Sequence, residues 1–136
     1  MVLPRKEKSV DTIINECILS LRTCYTLLIA SRRALRKDIR NMMILVRLPP
    51  TALSNIHFNS AISKLIGVRK KLVKLYNSRR VPQYLVKTLG DVIMTIPSSK
   101  SELRDMSVDE FCKLVESCIQ KLSYIQTELK LYNVQP

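Results

Sequence analysis

Apolar residues in this chain recur in steps of three and four, while glycine, which tight β-hairpin turns need, occurs only at Gly67 and Gly90. That combination leaves room for little but helices. Val10, Ile14, Cys17, Leu21, Cys24 and Leu28 step alternately by four and three and predict an amphipathic helix from about Asp11 to Ala30. A second helix follows, with Leu35, Ile39, Met42 and Leu45 or Val46 inward, and Pro49 and Pro50 end it. Thr51 to Ile56 reads as a short helix or turn. Ala61 to Tyr76 reads as a third long helix that buries Ile62, Leu65, Val68, Leu72 and Leu75.

Val81-Pro82 restarts the chain, because proline suits a first helical turn, and Leu85, Leu89, Val92, Ile93 and Ile96 make a further helix closed by Pro97. Two capping boxes come next, Ser99 with Glu102 and Ser107 with Glu110. The last helix has the most regular seam, since Val108, Phe111, Val115, Cys118, Leu122, Ile125 and Leu129 keep a heptad spacing. Such a seam packs in the core or pairs with another chain in a homo- or hetero-oligomer; the matching seam of the first helix favours the core. At 136 residues, with 46% hydrophobic and 25% charged residues, the chain suits one buried core rather than disorder. The expected fold is all-α, a compact bundle of about five or six helices. It forms a single domain over 10–132 behind a flexible basic tail at 1–9.

Charge divides the chain unevenly. Residues 1–99 carry 18 Lys+Arg against 5 Asp+Glu, whereas residues 100–136 carry 5 against 6, so a basic part (10–96) precedes a near-neutral one (97–132). Arg32, Arg33, Arg36, Lys37 and Arg40 form one cationic cluster. Arg69, Lys70, Lys71, Lys74, Arg79 and Arg80 form another with no acid among them. Two such clusters in a small fold point to a surface that meets a nucleic acid or an acidic protein motif. Aromatic residues are few, so phosphate contact rather than base stacking would dominate if nucleic acid binds.

Other classes find no support in the sequence. Cys17, Cys24, Cys112 and Cys118 sit at helical spacings without a C-x-x-C, and His57 is the single histidine, so neither a zinc site nor a disulfide framework is expected. A glycine-rich phosphate loop and a paired-carboxylate motif are missing, so no catalytic site, metal, cofactor or small-molecule substrate is expected. Uninterrupted apolar runs such as Thr26 to Ala30 fall far short of the roughly 20 residues that span a bilayer, so no membrane partner is expected. Unpaired cysteines suit a reducing intracellular compartment.

From Leu35 to Lys71 the pattern resembles the helical N-terminal domain of transcription elongation factor S-II, in the variant called the integrase-binding domain of lens epithelium-derived growth factor. Leu35, Ile39, Met42, Leu45 and Leu48 fall where that family places apolar residues before a loop ending in threonine, here Pro50-Thr51. Ile62, Leu65, Val68, Arg69 and Lys70 fall where it has an apolar helix ending in a basic pair. The resemblance covers about residues 10–96 and implies a non-enzymatic scaffold whose inter-helix loops hold short motifs of transcription and chromatin proteins. Its first loop would lie near Ala30-Ser31-Arg32-Arg33, which lacks the acid that the variant uses to hold a partner backbone. Partner motifs should therefore be acidic.

Residues 61–125 are also similar to the HRDC domain of RecQ helicases. The carriers are Val81-Pro82-Gln83-Tyr84-Leu85-Val86, Leu89, Val92, Ile96-Pro97 and the stretch from Ser98 to Leu103. This resemblance implies an accessory nucleic-acid-binding module using Arg69 to Lys74 and Arg79-Arg80. The leading expectation is an intracellular, nuclear adaptor that binds acidic linear motifs. A nucleic-acid-binding accessory domain and a structural subunit of an oligomer are the alternatives.

Overall fold

A computed structural model describes residues 8–42 and 52–134, with side chains described for 8–33 and 56–131. Among the described residues the regular structure is entirely helical, in the order α1 (Val10–Met42), α2 (Ala52–Asn77), α3 (Gln83–Thr95), α4 (Lys100–Arg104) and α5 (Val108–Val134). The all-α bundle expected from the spacing is thus observed, with two of its boundaries corrected. The first and second expected helices are one, because α1 runs without a break through Ala30 to Arg33. No glycine or proline interrupts that stretch, and Ser31, only 1% exposed, continues the buried stripe one turn beyond Leu28. The short element expected at Thr51 to Ile56 is not separate either, since α2 is continuous from Ala52. The prolines at 49 and 50, residues 1–7 of the expected tail, and the side chains of Leu35, Ile39, Met42, Leu45 and Val46 lie outside the described residues, whereas Lys8 and Ser9 of that tail are held against α1, Lys8 by Glu16 at 2.8 Å and Ser9 by accepting from the Thr12 amide at 3.1 Å.

Contacts along the long helices fix the topology. The Cys24 thiol donates to the carbonyl of Ala61 at 3.3 Å, and Glu16 meets Lys71 at 3.8 Å, so α1 and α2 are antiparallel. Arg32 pairs with Asp109, and Gln126 donates to Asn15 at 3.2 Å, which sets α5 antiparallel to α1 as well. Arg69 bonds the carbonyl of Ile96 at 3.1 Å, and Tyr76 lies against Gly90, so α3 runs back along α2. With α3 also packed on α5, the four long helices close a ring in which α1 has the most extensive contacts.

The core follows the predicted stripes. Ile14, Cys17, Leu21, Cys24 and Leu28 of α1 are fully buried, as are Ala61, Leu65 and Leu72 of α2 and Leu85, Leu89 and Val92 of α3. The seam of α5 lies inside the molecule: Phe111, Val115, Cys118, Leu122 and Ile125 are fully buried, Leu129 nearly so, and Val108 partly. Its heptad spacing is used on α1 and α3 of the same chain, not kept for a second one. Phe58 meets Phe111 edge to face at a centroid distance of 5.5 Å, closing the end of the bundle where α2 and α5 begin. Ser99 and Ser107 accept from the amides of Glu102 and Glu110 at 3.3 and 3.1 Å, so the hydroxyl halves of both capping boxes are formed.

The segment Val10–Arg33 of α1 is long and apolar enough, at a mean hydropathy of 1.4, to cross a membrane by length and composition alone. Counting uninterrupted runs overlooks this, because Glu16 and Arg22 break the runs without lowering the average much. In the bundle the apolar stripe of that segment packs against α2 and α5, and Glu16 is held by Lys8 at 2.8 Å. A core helix in such packing satisfies the same criterion.

Candidate basic binding face

The eleven cations singled out in the sequence do not form one surface. Arg32 pairs with Asp109 at the start of α5 and approaches the Cys112 sulfur at 3.9 Å, so it ties α1 to α5. Arg33 is exposed beside it, and the side chains of Arg36, Lys37 and Arg40 lie outside the described residues. The second cluster sits toward the opposite end of the bundle, where Lys71 reaches Glu16. At 1.5 Å per residue, Glu16 and Arg32 are about 24 Å apart along α1. The two clusters therefore lie on separate parts of the bundle.

Within the second cluster the structure sorts the cations by what they touch. Arg69 donates from Nε to the Ile96 carbonyl, satisfying an acceptor at the end of α3. Lys71 shares Glu16 with Lys8, and the Arg80 guanidinium donates to the Lys8 carbonyl at 2.8 Å, so these two clamp the start of α1 against the α2–α3 turn. The hydrogen bond from Lys8, reinforced by the nearby charges of Lys8 and Lys71 and opposed by slight desolvation, holds the Glu16 carboxyl below its ordinary pKa. Lys70, Lys74 and Arg79 are exposed, and the first two stand one turn apart on the outer side of α2.

Those three cations rim two adjoining grooves. One, of about 400 Å³, is lined by Arg69, Lys70, Val73, Lys74 and Asn77. The other, of about 470 Å³, is lined by Tyr76, Asn77, Arg79, Val81, Gln83 and Val86. Asn77 belongs to both, so cationic rims and apolar walls run continuously from the last turns of α2 to the first turns of α3. Tyr76 lies over α3 beside Gly90, where a Cβ would stand in ordinary contact with the Tyr76 ring at 3.5 Å. No acid occurs anywhere in α2, which carries Lys64, Arg69, Lys70, Lys71 and Lys74, the last of them in the final turn where the helix C-terminus itself favours positive charge.

The turn between the helices carries backbone strain. Arg79 has φ 58°, the left-handed conformation that glycine usually occupies after a helix. Its amide donates to the Tyr76 carbonyl, and the Ser78 hydroxyl donates to the Leu75 carbonyl at 2.6 Å, which holds the turn. An arginine kept at such a position projects its side chain from the rim of the second groove. Strained non-glycine residues concentrate at binding sites, which adds to the case for this face.

A third groove, of about 480 Å³ between α1 and α5, has a different character. Arg22, Tyr25, Thr26, Glu116 and Ile119 line it, and the Tyr25 hydroxyl is raised above its ordinary pKa by its hydrogen bond to the Glu116 carboxylate. Its charges are mixed, so it offers polyanions no preference.

The cysteines are placed as core residues. Burial pushes the thiols of Cys17 and Cys118 up to about 11 and that of Cys24 up to about 12, and raises Cys112 despite the nearby Arg32. A thiol held protonated is a poor nucleophile and a poor metal ligand. Spacing alone identified the cations but missed Val73, Tyr76, Val81 and Val86 as groove walls. The one available hint was a basic run interleaved with apolar residues just before Val81-Pro82.

No protein-family model, curated protein or solved structure matches this chain.

Proposed function

We propose that this chain is a non-enzymatic binding module that holds an acidic linear motif of a partner protein on its α2–α3 face. The observation that carries the reading is the pair of adjoining grooves, whose rims bear Lys70, Lys74 and Arg79 and whose walls include Val73, Val81 and Val86. Cations at a rim select negative charge, and apolar walls reward a partner that also buries a hydrophobic side chain, which a nucleic-acid backbone does not supply. The nuclear setting among transcription and chromatin proteins is taken from the S-II resemblance alone, and the first inter-helix loop that this resemblance needs near Ala30-Ser31-Arg32-Arg33 is continuous helix in α1. A nucleic-acid partner is the second reading, favoured by the acid-free run of five cations along α2.

Fluorescence anisotropy separates the two readings. Labelled acidic peptides with and without aromatic residues, and short DNA and RNA duplexes, are titrated with wild type and with Lys70→Glu/Lys74→Glu at about 50–200 mM salt. Micromolar binding of the acidic-aromatic peptide, lost in the variant, is the expected result. Binding of nucleic acid alone, with a steep salt dependence, would transfer the function to the second reading. Binding of neither ligand would overturn both.

A further inference from the structure

Building on the acidic-motif reading, on which it rests, we infer that the partner segment is bound as an extended strand, held at its centre by the Asn77 side chain. Asn77 ends α2, is exposed, and alone lines both grooves of the basic face. No side chain among the described residues bonds its carboxamide. A carboxamide carries a donor and an acceptor side by side, and the N–H and C=O of one extended peptide residue complement that pair. A helical segment has those backbone groups paired internally, so it offers Asn77 nothing of the kind.

Extended geometry then fixes the order of residues in the motif. Side chains two apart along a strand share a face, about 6.6 Å from each other. With one residue held at Asn77, its two neighbours turn toward the protein, one over each groove. The first groove offers them Val73, and the second offers Val81 and Val86. Both neighbours are therefore apolar. Lys70 and Lys74 rim the first groove and Arg79 the second, so the residues that flank the apolar pair are acidic. The motif reads acid, apolar, any residue, apolar, acid. A helical ligand would instead carry its apolar residues three or four apart.

The probe is a labelled peptide with two phenylalanines separated by one serine and flanked by glutamates, read by fluorescence anisotropy. It is titrated with wild type, with Asn77→Ala, and with Gln83→Ala, which removes the other carboxamide of the second groove. Circular dichroism melts confirm that each variant folds. Wild type should bind the peptide in the micromolar range and a version with two serines between the phenylalanines more weakly. Asn77→Ala should weaken binding about five- to tenfold, and Gln83→Ala should not. An ester in place of the serine amide should weaken wild type to a similar degree and Asn77→Ala no further, because both changes remove the same hydrogen bond. Equal binding by Asn77→Ala, a loss as large in Gln83→Ala, or ester and alanine effects that multiply would overturn the inference. Preference for the two-serine version would overturn it too, in favour of a helical ligand. In each of those cases binding that is still lost in Lys70→Glu/Lys74→Glu leaves the basic face standing. Binding of neither peptide by wild type would remove the inference together with the reading beneath it.

Discussion

Arg79 shows how one residue can serve binding at a cost to the fold. A non-glycine residue in the left-handed region costs about 1–2 kcal/mol, of which glycine would recover part after its own entropy loss. Arg79→Gly should therefore raise stability in urea denaturation by roughly 0.5–1 kcal/mol while weakening acidic-peptide binding. Equal or lower stability would show that the turn does not strain Arg79. Arg32 sits at the other extreme. Its ion pair has side-chain exposures of 34% and 78%, so Arg32→Ala should cost under about 1 kcal/mol and leave peptide affinity unchanged. The thiols give a pH signature. Raised on folding from 9.0 to about 11 or 12, they contribute fully below pH 9, and that contribution is lost as the pH climbs from 9 to the folded values. At pH 8 the native protein should resist thiol reagents that label the urea-unfolded chain at once; rapid labelling of native protein would contradict the burial.

At the level of elements, α5 is the part most readily tested. Leu122 is fully buried in the middle of its seam, so Leu122→Ala should cost roughly 2–5 kcal/mol in a denaturation experiment, and an unchanged midpoint would put the seam outside the core. The cap at its start is a smaller matter, with Ser107→Ala expected to cost about 1 kcal/mol. These stripes were legible because a helix repeats its buried positions every three or four residues, and the five helices among the described residues fall within the expected five or six although two expected helices merge into α1. Boundaries were less legible. Ser31 and Arg32 interrupt an apolar stripe without stopping a helix, and the signals that do stop one, glycine and proline, are absent between Val10 and Met42. The Pro82 restart and the serine caps at 99 and 107 were placed correctly because their backbone chemistry is local.

The molecule as a whole turns a linear charge imbalance into distinct faces. Antiparallel packing sends the clustered cations of α1 and α2 to opposite ends, and ion pairs engage Arg32 and the still half-exposed Lys71, which no count of charges along the chain can show. What remains is the strip from Lys70 to Val86, where Asn77 links two cation-rimmed grooves. The cations were legible as residue types; the apolar walls were not, because Val81 and Val86 join Val73 and Tyr76 only once α3 folds back along α2. Amide chemical-shift mapping of the isotope-labelled chain, titrated with an acidic-aromatic peptide, locates the binding face directly. Perturbations confined to Lys70–Asn77 and Arg79–Val86 are expected. Perturbations centred on the Arg22–Glu116 groove, or on Arg32 and Arg33, would contradict the assignment of this face.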